Sequence, residues 1–357
     1  LQELMENAKN NTQIVLTGKL VDKNVRDSAV GQKKRITGIF KTLVDDKKNE
    51  HDIVIEILTL EDLEDVSPNL PSSEQLKKLH EDSKNPEFIK DIVGSFVPQV
   101  YGNKNIKLSI LCMMAGGVEG KKRADINILL AGDPSMAKSV LLVEADKITH
   151  KSMYTSGRGA SAAGLTIGMI KTSDGRMLAM AGVLPLMSGG IAFIDEFDKM
   201  NKDDRSAIHP AMEQQKVTIA KAGTTLTLPA KTAILAAANP KFGKFDSSQT
   251  LTDNIDIPPP LLSRFDLIWV IKDEINLAED LAKANYVLDT FENNNKEIIR
   301  KYTSKELTEY LNYVKTLKPK LSPTIRKKII PIYEKLRDLA RQDDVVVGIR
   351  QLEALVR

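Results

Sequence analysis

The sequence predicts an α/β protein: a parallel sheet with helices on both faces, a helical subdomain after it and a small β-rich domain before it. Three observations carry this. Four short apolar runs between residues 125 and 272, "INILLAG", "GGIAFIDE", "TAILAAANP" and "FDLIWVI", alternate with polar or helical segments. Apolar runs of this length, without alternation, suit strands buried on both faces of a parallel sheet. After Asp273 the periodicity is helical throughout, in "NLAEDLAKANYVLDTFENN", "SKELTEYLNYVKTL" and "SPTIRKKIIPIYEKLRDLA". Before residue 62, Ile, Val and Thr recur at period two in "QIVLTGKLV", "KRITGIF" and "HDIVIEILTL", broken by Gly and Asp-Asp-Lys-Lys turns, as in strands of a small β-domain.

The bulk properties set limits. The chain has 357 residues, room for two or three domains, and 42% hydrophobic residues, enough for a sizeable core. It holds no run of about 18 apolar residues, so no transmembrane helix is expected. Cys112 is the single cysteine, which excludes an intrachain disulfide and a multi-cysteine zinc site and suits a reducing, intracellular compartment. His51, His80, His150 and His209 show no metal-ligand spacing. The formal net charge is only +3, so attraction to nucleic acid must come from local clusters of Lys and Arg. Neither end carries a signal or a helix cap, and the sequence is expected to be a piece of a longer protein.

Taken in order, residues 1–62 form the expected β-domain. The stretch "EDLEDVSPNLPSSEQ", with two prolines and several serines, marks a linker over residues 63–84. In "NPEFIKDIVGSFV", Asn85 is the expected N-cap and Pro86 the first helical position. Residues 85–275 then form the α/β core and residues 276–357 the helical subdomain.

"GDPSMAKS", Gly132 to Ser139, follows the first apolar run and precedes a helical pattern with Leu141, Leu142, Ala145 and Ile148 on one side. A phosphate loop, G-x-x-x-x-G-K-[ST], requires that strand-to-helix context. Successive backbone N–H groups of Gly132, Asp133, Pro134, Ser135, Met136 and Ala137 would form an anion nest at a helix N-terminus, proline excepted. Lys138 would pair with β- and γ-phosphates, and Ser139 would place its hydroxyl on Mg²⁺. Ala137 stands where the motif has Gly; it fits if that residue takes a helical φ. The competing reading is a Gly-Asp-Pro turn before an ordinary helix.

"GGIAFIDEFDKM" ends a strand in Asp195 and Glu196. Ligands bind at the carboxyl edge of such strands. Asp195 suits a Mg²⁺ ligand, Glu196 the base that orients and deprotonates water. Asn239, ending the third run, can hydrogen-bond both water and γ-phosphate, although Asn-Pro is also a turn signal. Arg264 in "PPPLLSRFD" is either an arginine finger or the partner of Asp266. "KVTIAKAGTTLTL" reads as a β-hairpin with Lys221 at its tip, and "GLTIGMIKTSDGRMLAMAG" as a second with Asp174-Gly175 at its turn and Lys171 and Arg176 near it. Tip cations give phosphate contacts without sequence preference, or are merely solvated.

These segments, with "YTSGRGASAAGLT" and "IRQLEALVR", occur in the order that the sequence shares with minichromosome maintenance (MCM) helicases, which are AAA+ ATPases; the likeness is strongest over residues 125–271. The pairing of "FIDEFDKM" with "LLSRFD" is highly specific, and the archaeal single-gene form looks nearest. The resemblance implies an AAA+ P-loop fold preceded by part of an OB-fold, and a homo-hexameric ring that hydrolyses ATP with Mg²⁺ to unwind DNA. It implies Lys138, Ser139, Asp195, Glu196 and Asn239 acting in cis, with Arg264 as finger and Arg350 as second sensor arginine reaching a neighbour's ATP. Alanine at the sixth loop position is the family's usual residue, whereas Ser135 and Met136 are larger than usual. Lys221 matches the presensor hairpin, Lys171 and Arg176 a helix-2 insertion, and Lys33, Lys34 and Arg35 part of the OB-fold. The setting implied is intracellular: the cytoplasm or nucleoid of a prokaryote, or the nucleus of a eukaryote. Two rivals remain, a structural subunit that keeps the fold without turnover and a related AAA+ remodeller of proteins.

Overall fold

The computed structural model describes residues 34–45, 50–62, 70–118, 120, 123–171, 177–221, 224–292, 300–342 and 348–357. The chain divides into two compact units after Ser67. In the first, β1 (Lys34–Asp45) and β2 (Glu50–Asp62) form an antiparallel pair with an irregularity between Thr37 and Gly38. The expected strand at "QIVLTGKLV" and Lys33 lie outside the described residues.

The second unit opens with α1 (Ser73–Asp82), inside the stretch expected as linker. Ser72 and Gln75 form a reciprocal capping box there. Leu79 packs on the core, and Gln75 Nε2 donates to Glu309 Oε2 at 2.7 Å. So α1 belongs to this unit, a correction that the Pro- and Ser-rich composition concealed. Helix α2 (Phe88–Ser95) starts later than expected: Asn85 Oδ1 accepts from the Glu87 N–H at 3.0 Å in a turn before the helix, and is not its cap. Helix α3 (Lys104–Ala115) follows.

The remaining strands are β3 (Ile128–Gly132), β4 (Ser152–Ser156), β5 (Ile167–Lys171), β6 (Met177–Ala181), β7 (Ile191–Asp195), β8 (Lys216–Lys221), β9 (Thr224–Pro229), β10 (Ala233–Ala238) and β11 (Leu267–Ile271). Five make one parallel sheet in the order β11-β3-β10-β7-β4. The four apolar runs all became strands of this sheet, and β4 at its edge is a fifth that they did not announce. Alternate residues explain the continuous apolar reading. Ile128, Leu130, Phe193 and Leu235 face one core layer, while Leu129, Ala131, Ile194 and Ala236 face the other.

Helix α4 (Lys138–Ile148) buries Leu141, Leu142, Ala145 and Ile148 on the first layer, the face expected of it. Helix α5 (Lys202–Gln214) puts Ile208, Ala211 and Met212 on the second. Two antiparallel hairpins, β5–β6 and β8–β9, leave the main sheet; Val217 pairs with Leu228 and Ile219 with Leu226. The C-terminal helices are α6 (Leu277–Glu292), α7 (Ser304–Thr316), α8 (Pro323–Gln342) and α9 (Ile349–Val356). Helix α7 buries Leu307 and Leu311 in the first core layer, so part of the expected helical subdomain is core.

Candidate functional site

The loop between β3 and α4 departs from helical geometry where the sequence asked for it. Ala137 sits at φ +56° and Ser135 at φ +64°, both in the left-handed region. The condition that Ala137 take a helical φ is therefore not met. Alanine occupies a conformation that glycine adopts without steric cost. Gly132 answers a different constraint: a Cβ there would come within 2.1 Å of the Ile271 carbonyl oxygen. Ala137 precedes α4 without a side-chain cap, so the first-turn amides remain available to an anion.

Lys138 is buried, and its ammonium donates to the carbonyls of Gly132 at 2.8 Å and Asp133 at 2.6 Å. Burial pushes its pKa down, while Asp195, Asp133 and Asp198 pull it up. An ammonium held by loop carbonyls, facing three carboxylates, is a cation ready to exchange neutral oxygens for phosphate oxygens. The Asp133 side chain serves the scaffold: Oδ1 accepts from the Phe245 N–H at 2.6 Å and Oδ2 from the Asp273 N–H at 2.9 Å. Met136 packs against the first core layer, which turns part of its bulk away from the loop's mouth.

A cleft of about 460 Å³ opens at the carboxyl edge of the sheet, lined by Ser135 to Ser139, Asp195, Glu196 and Asn239 among others. Its size falls within the range of small-ligand pockets, about 300–1,000 Å³. Tyr154 Oη donates to Asp195 Oδ2 at 2.9 Å, and burial beside Asp195 pushes that phenol up to about 12. Ser156 Oγ donates to Glu196 Oε2 at 3.1 Å. The Asn239 N–H donates to Asp198 Oδ1 at 2.9 Å, which fixes the end of β10 to the turn after β7. Tyr154, Ser156 and Asp198 lie inside segments that carried the family resemblance, "YTSGRGASAAGLT" and "FIDEFDKM", but the sequence reading gave none of the three a role. Tyr154 and Ser156 lie on the edge strand it missed.

Arg264 and Arg350 do not line the cleft. Arg264 Nη2 meets Glu213 Oε2 at 2.7 Å, and its Nε donates to His209 Nε2 at 3.2 Å. Arg350 Nη2 meets the other oxygen of the same carboxylate, Glu213 Oε1, at 3.3 Å. The alternative pairing of Arg264 with Asp266 does not form: Asp266 accepts two bonds from Arg123 Nη2, at 2.7 and 2.8 Å, and one from Arg357 Nη1 at 2.9 Å. Lys221 ends β8 opposite Thr224, and Lys171 ends β5 opposite Met177. The tips of both hairpins, the Asp174-Gly175 turn and Arg176 lie outside the described residues. Among those described, no group of His, Cys, Asp and Glu could hold a metal ion by protein ligands alone, and no helix is long and apolar enough to cross a membrane. Ser139 and Asp195 line the same cleft; the hydroxyl, and a carboxylate whose oxygens accept from Tyr154 Oη and the Glu196 N–H, fit a Mg²⁺ that takes its other ligands from phosphate and water.

With β3 taken as the first sheet strand, the order is 5-1-4-3-2, and the loop after strand one faces the acid-ended strand three across strand four. Such an arrangement is that of a P-loop nucleotide-binding domain. Comparison with known families is specific: the sequence model of the MCM P-loop domain matches residues 74–291 and that of the MCM AAA-lid domain residues 305–357. The chain belongs to the MCM family of AAA+ P-loop proteins. It is 42% identical over 301 residues to the DNA replication licensing factor MCM6 of Arabidopsis thaliana, covering 80% of this chain and 36% of the relative. It is 39% identical over 300 residues to the zygotic DNA replication licensing factor mcm6 of Xenopus tropicalis, covering 81% and 36%. To the minichromosome maintenance protein MCM of Saccharolobus solfataricus it is 36% identical over 362 residues, covering 97% and 52%. The chain thus spans about a third to a half of the length of these relatives. The archaeal relative matches more of the chain and the plant one matches it at higher identity, so the relatives do not favour the prokaryotic setting over the eukaryotic one.

Proposed function

We propose that this chain is the ATP-driven motor of a ring helicase, a homo-hexamer that moves along DNA and unwinds it during replication. One observation carries the reading: the catalytic groups are divided over two surfaces. The phosphate loop, Asp195, Glu196 and Asn239 share one cleft, while Arg264 and Arg350 gather at Glu213 outside it. An arginine that completes phosphoryl transfer is worth about 10³–10⁵ in rate. A chain that keeps two of them off its own cleft is suited to lend them to a neighbour, and head-to-tail contacts of that kind form a ring where the rotation between neighbours closes.

In this reading Lys138 leaves the Gly132 and Asp133 carbonyls for the β- and γ-phosphate oxygens. Ser139 and Asp195 would hold Mg²⁺, which would supply the positive charge that offsets the negative charge of the phosphates. Glu196, freed from Ser156, orients the attacking water and takes its proton. Asn239 bonds that water and the γ-phosphate. The hairpin ending in Lys221 reaches single-stranded and forked DNA without sequence preference, with Lys171 and Arg176 as guides. Residues 1–62 supply part of an OB-fold, residues 63–72 the connection, the following residues to 275 the ATPase core, and residues 276–357 the lid. The setting is intracellular, wherever the chromosome lies.

Titration calorimetry with ATP and with an unhydrolysable analogue tests the site, and turnover assays with forked DNA test the motor. The expected results are uptake of both nucleotides and DNA-stimulated turnover that rises faster than linearly with protein concentration. Well-folded protein that takes up neither nucleotide overturns the reading. Turnover indifferent to DNA and to the Lys221→Ala substitution favours a remodeller of proteins, and binding without turnover a structural subunit.

A further inference from the structure

We infer that Glu213 is a positioning residue: one carboxylate that holds Arg264 and Arg350 side by side so that both present to the same neighbouring nucleotide. The inference rests on the shared-seam reading above and goes further by naming the residue that assembles the arginine face. Glu213 lies in the last turn of α5, and each of its oxygens takes a different arginine. His209, one turn earlier on the same helix, accepts from Arg264 Nε, and its Nδ1 stands 3.9 Å from Glu213 Oε2. Among the described residues, these are the charged and titratable groups that the structure places against the Glu213 carboxylate.

The two arginines depend on Glu213 unequally. The Arg264 side chain is 12% exposed and keeps a second contact at His209. That of Arg350 is 54% exposed and stands on α9, a helix with no buried residue of its own. Charge holds α9 at both ends: Arg350 on Glu213 at its start, and beyond its last turn Arg357 on Asp266 at 2.9 Å and on the Asp125 carbonyl at 3.2 Å. Without the Glu213 carboxylate, two guanidinium groups brought to one spot repel each other, and the exposed one is free to move away. A misplacement of about 1 Å in a reacting constellation costs on the order of a hundredfold in rate.

The test compares full-length Glu213→Gln and Glu213→Asp with wild type. The expected result for Glu213→Gln is a fall in kcat of about ten- to a hundredfold, with KM for ATP and binding of a fluorescent ATP analogue unchanged. Glu213→Asp, which keeps the charge, recovers part of the rate. In an Arg264→Ala, Arg350→Ala background Glu213→Gln adds no further loss. Mixing with Lys138→Ala subunits, which offer an intact arginine face but a dead loop, restores turnover to both Glu213→Gln and Arg264→Ala. Wild-type kcat in Glu213→Gln overturns the inference. So does a loss that Lys138→Ala subunits fail to restore while they restore Arg264→Ala. If Arg264→Ala itself is not restored, the shared seam falls and takes the inference with it. Should Glu213→Gln melt well below wild type, the Glu213→Asp arm and its mixing result decide.

Discussion

Ala137 is the residue at which motif and geometry part. A left-handed alanine costs about 1–2 kcal/mol relative to its usual conformations, and the loop keeps it at φ +56°. Ala137→Gly removes that strain but loosens the unfolded chain by about 0.4–1 kcal/mol. The expected outcome is stability equal to or slightly above wild type, with ATP affinity retained. Ala137→Val sets a β-branched residue where it is a steric outlier. It is expected to lower stability by on the order of 1–3 kcal/mol and to weaken ATP binding at least about tenfold, since the nest no longer closes. Melting curves and titration with a fluorescent nucleotide check both. Tyr154 offers a second test at this scale. Its folded phenol holds its proton to about 12 against 10.0 for a free tyrosine. The folded chain therefore binds that proton more tightly, so the stabilisation is complete below pH 10 and is lost between about pH 10 and 12. Denaturation midpoints of wild type and Tyr154→Phe should converge across that window and stay apart below it.

Among the elements, the loops at the carboxyl edge are tied to one another by buried carboxylates. Asp133 accepts from amides that follow β10 and β11, and Asp198 from the amide that ends β10. Asp133→Asn keeps the shape but turns an amide donor towards one of those N–H groups. The loss of one charge-assisted bond, about 1.5–3 kcal/mol, should lower Tm by several degrees and weaken ATP binding with it. Asp198→Ala should instead lower kcat more than it changes KM, because it frees Asn239 while Asp195 and Asp133 still face Lys138. Neither tie is legible in the sequence, where Asp133 sits inside the phosphate motif and Asp198 inside an acidic run. Strands β3, β7 and β10 were legible because both of their faces are covered, and the result is an unbroken apolar run; β11, at one sheet edge and partly exposed, was legible because "LIWVI" is apolar throughout all the same. Strand β4 was not: it lies at the sheet edge, its residues are half-buried or exposed, and "SMYTS" carries no such run. Helix α1 was hidden by its own cap, since Ser72 and Pro71 read as linker composition. Glu213 was invisible for another reason. Its partners stand 51 and 137 residues away, and only the fold brings the three together.

For the whole molecule, the decisive question is whether copies act together on DNA, and the salt dependence of binding answers it. Releasing counterions from single-stranded nucleic acid gives a slope of log K against log salt of about −0.7 for each phosphate neutralised. The net charge of this chain is only +3, so a steep slope must come from cations gathered locally, on one chain or by assembly, and not from the chain's overall charge. Lys221 closes a hairpin strand whose partner begins at Thr224, which puts one cation per chain next to a short tip. If six such lysines track one strand, Lys221→Ala should flatten the slope by about 4, and weaken binding alike on every sequence tried. A hairpin lying outside a channel would contribute at most one contact, and the substitution would change the slope by about 0.7 or less. Fluorescence anisotropy with a labelled oligonucleotide, run over a salt series with ATP analogue present, separates the two cases. The same series with Lys138→Ala protein shows whether the contacts gather only when nucleotide joins the subunits: its slope should then fall to the single-contact value even though Lys221 is intact.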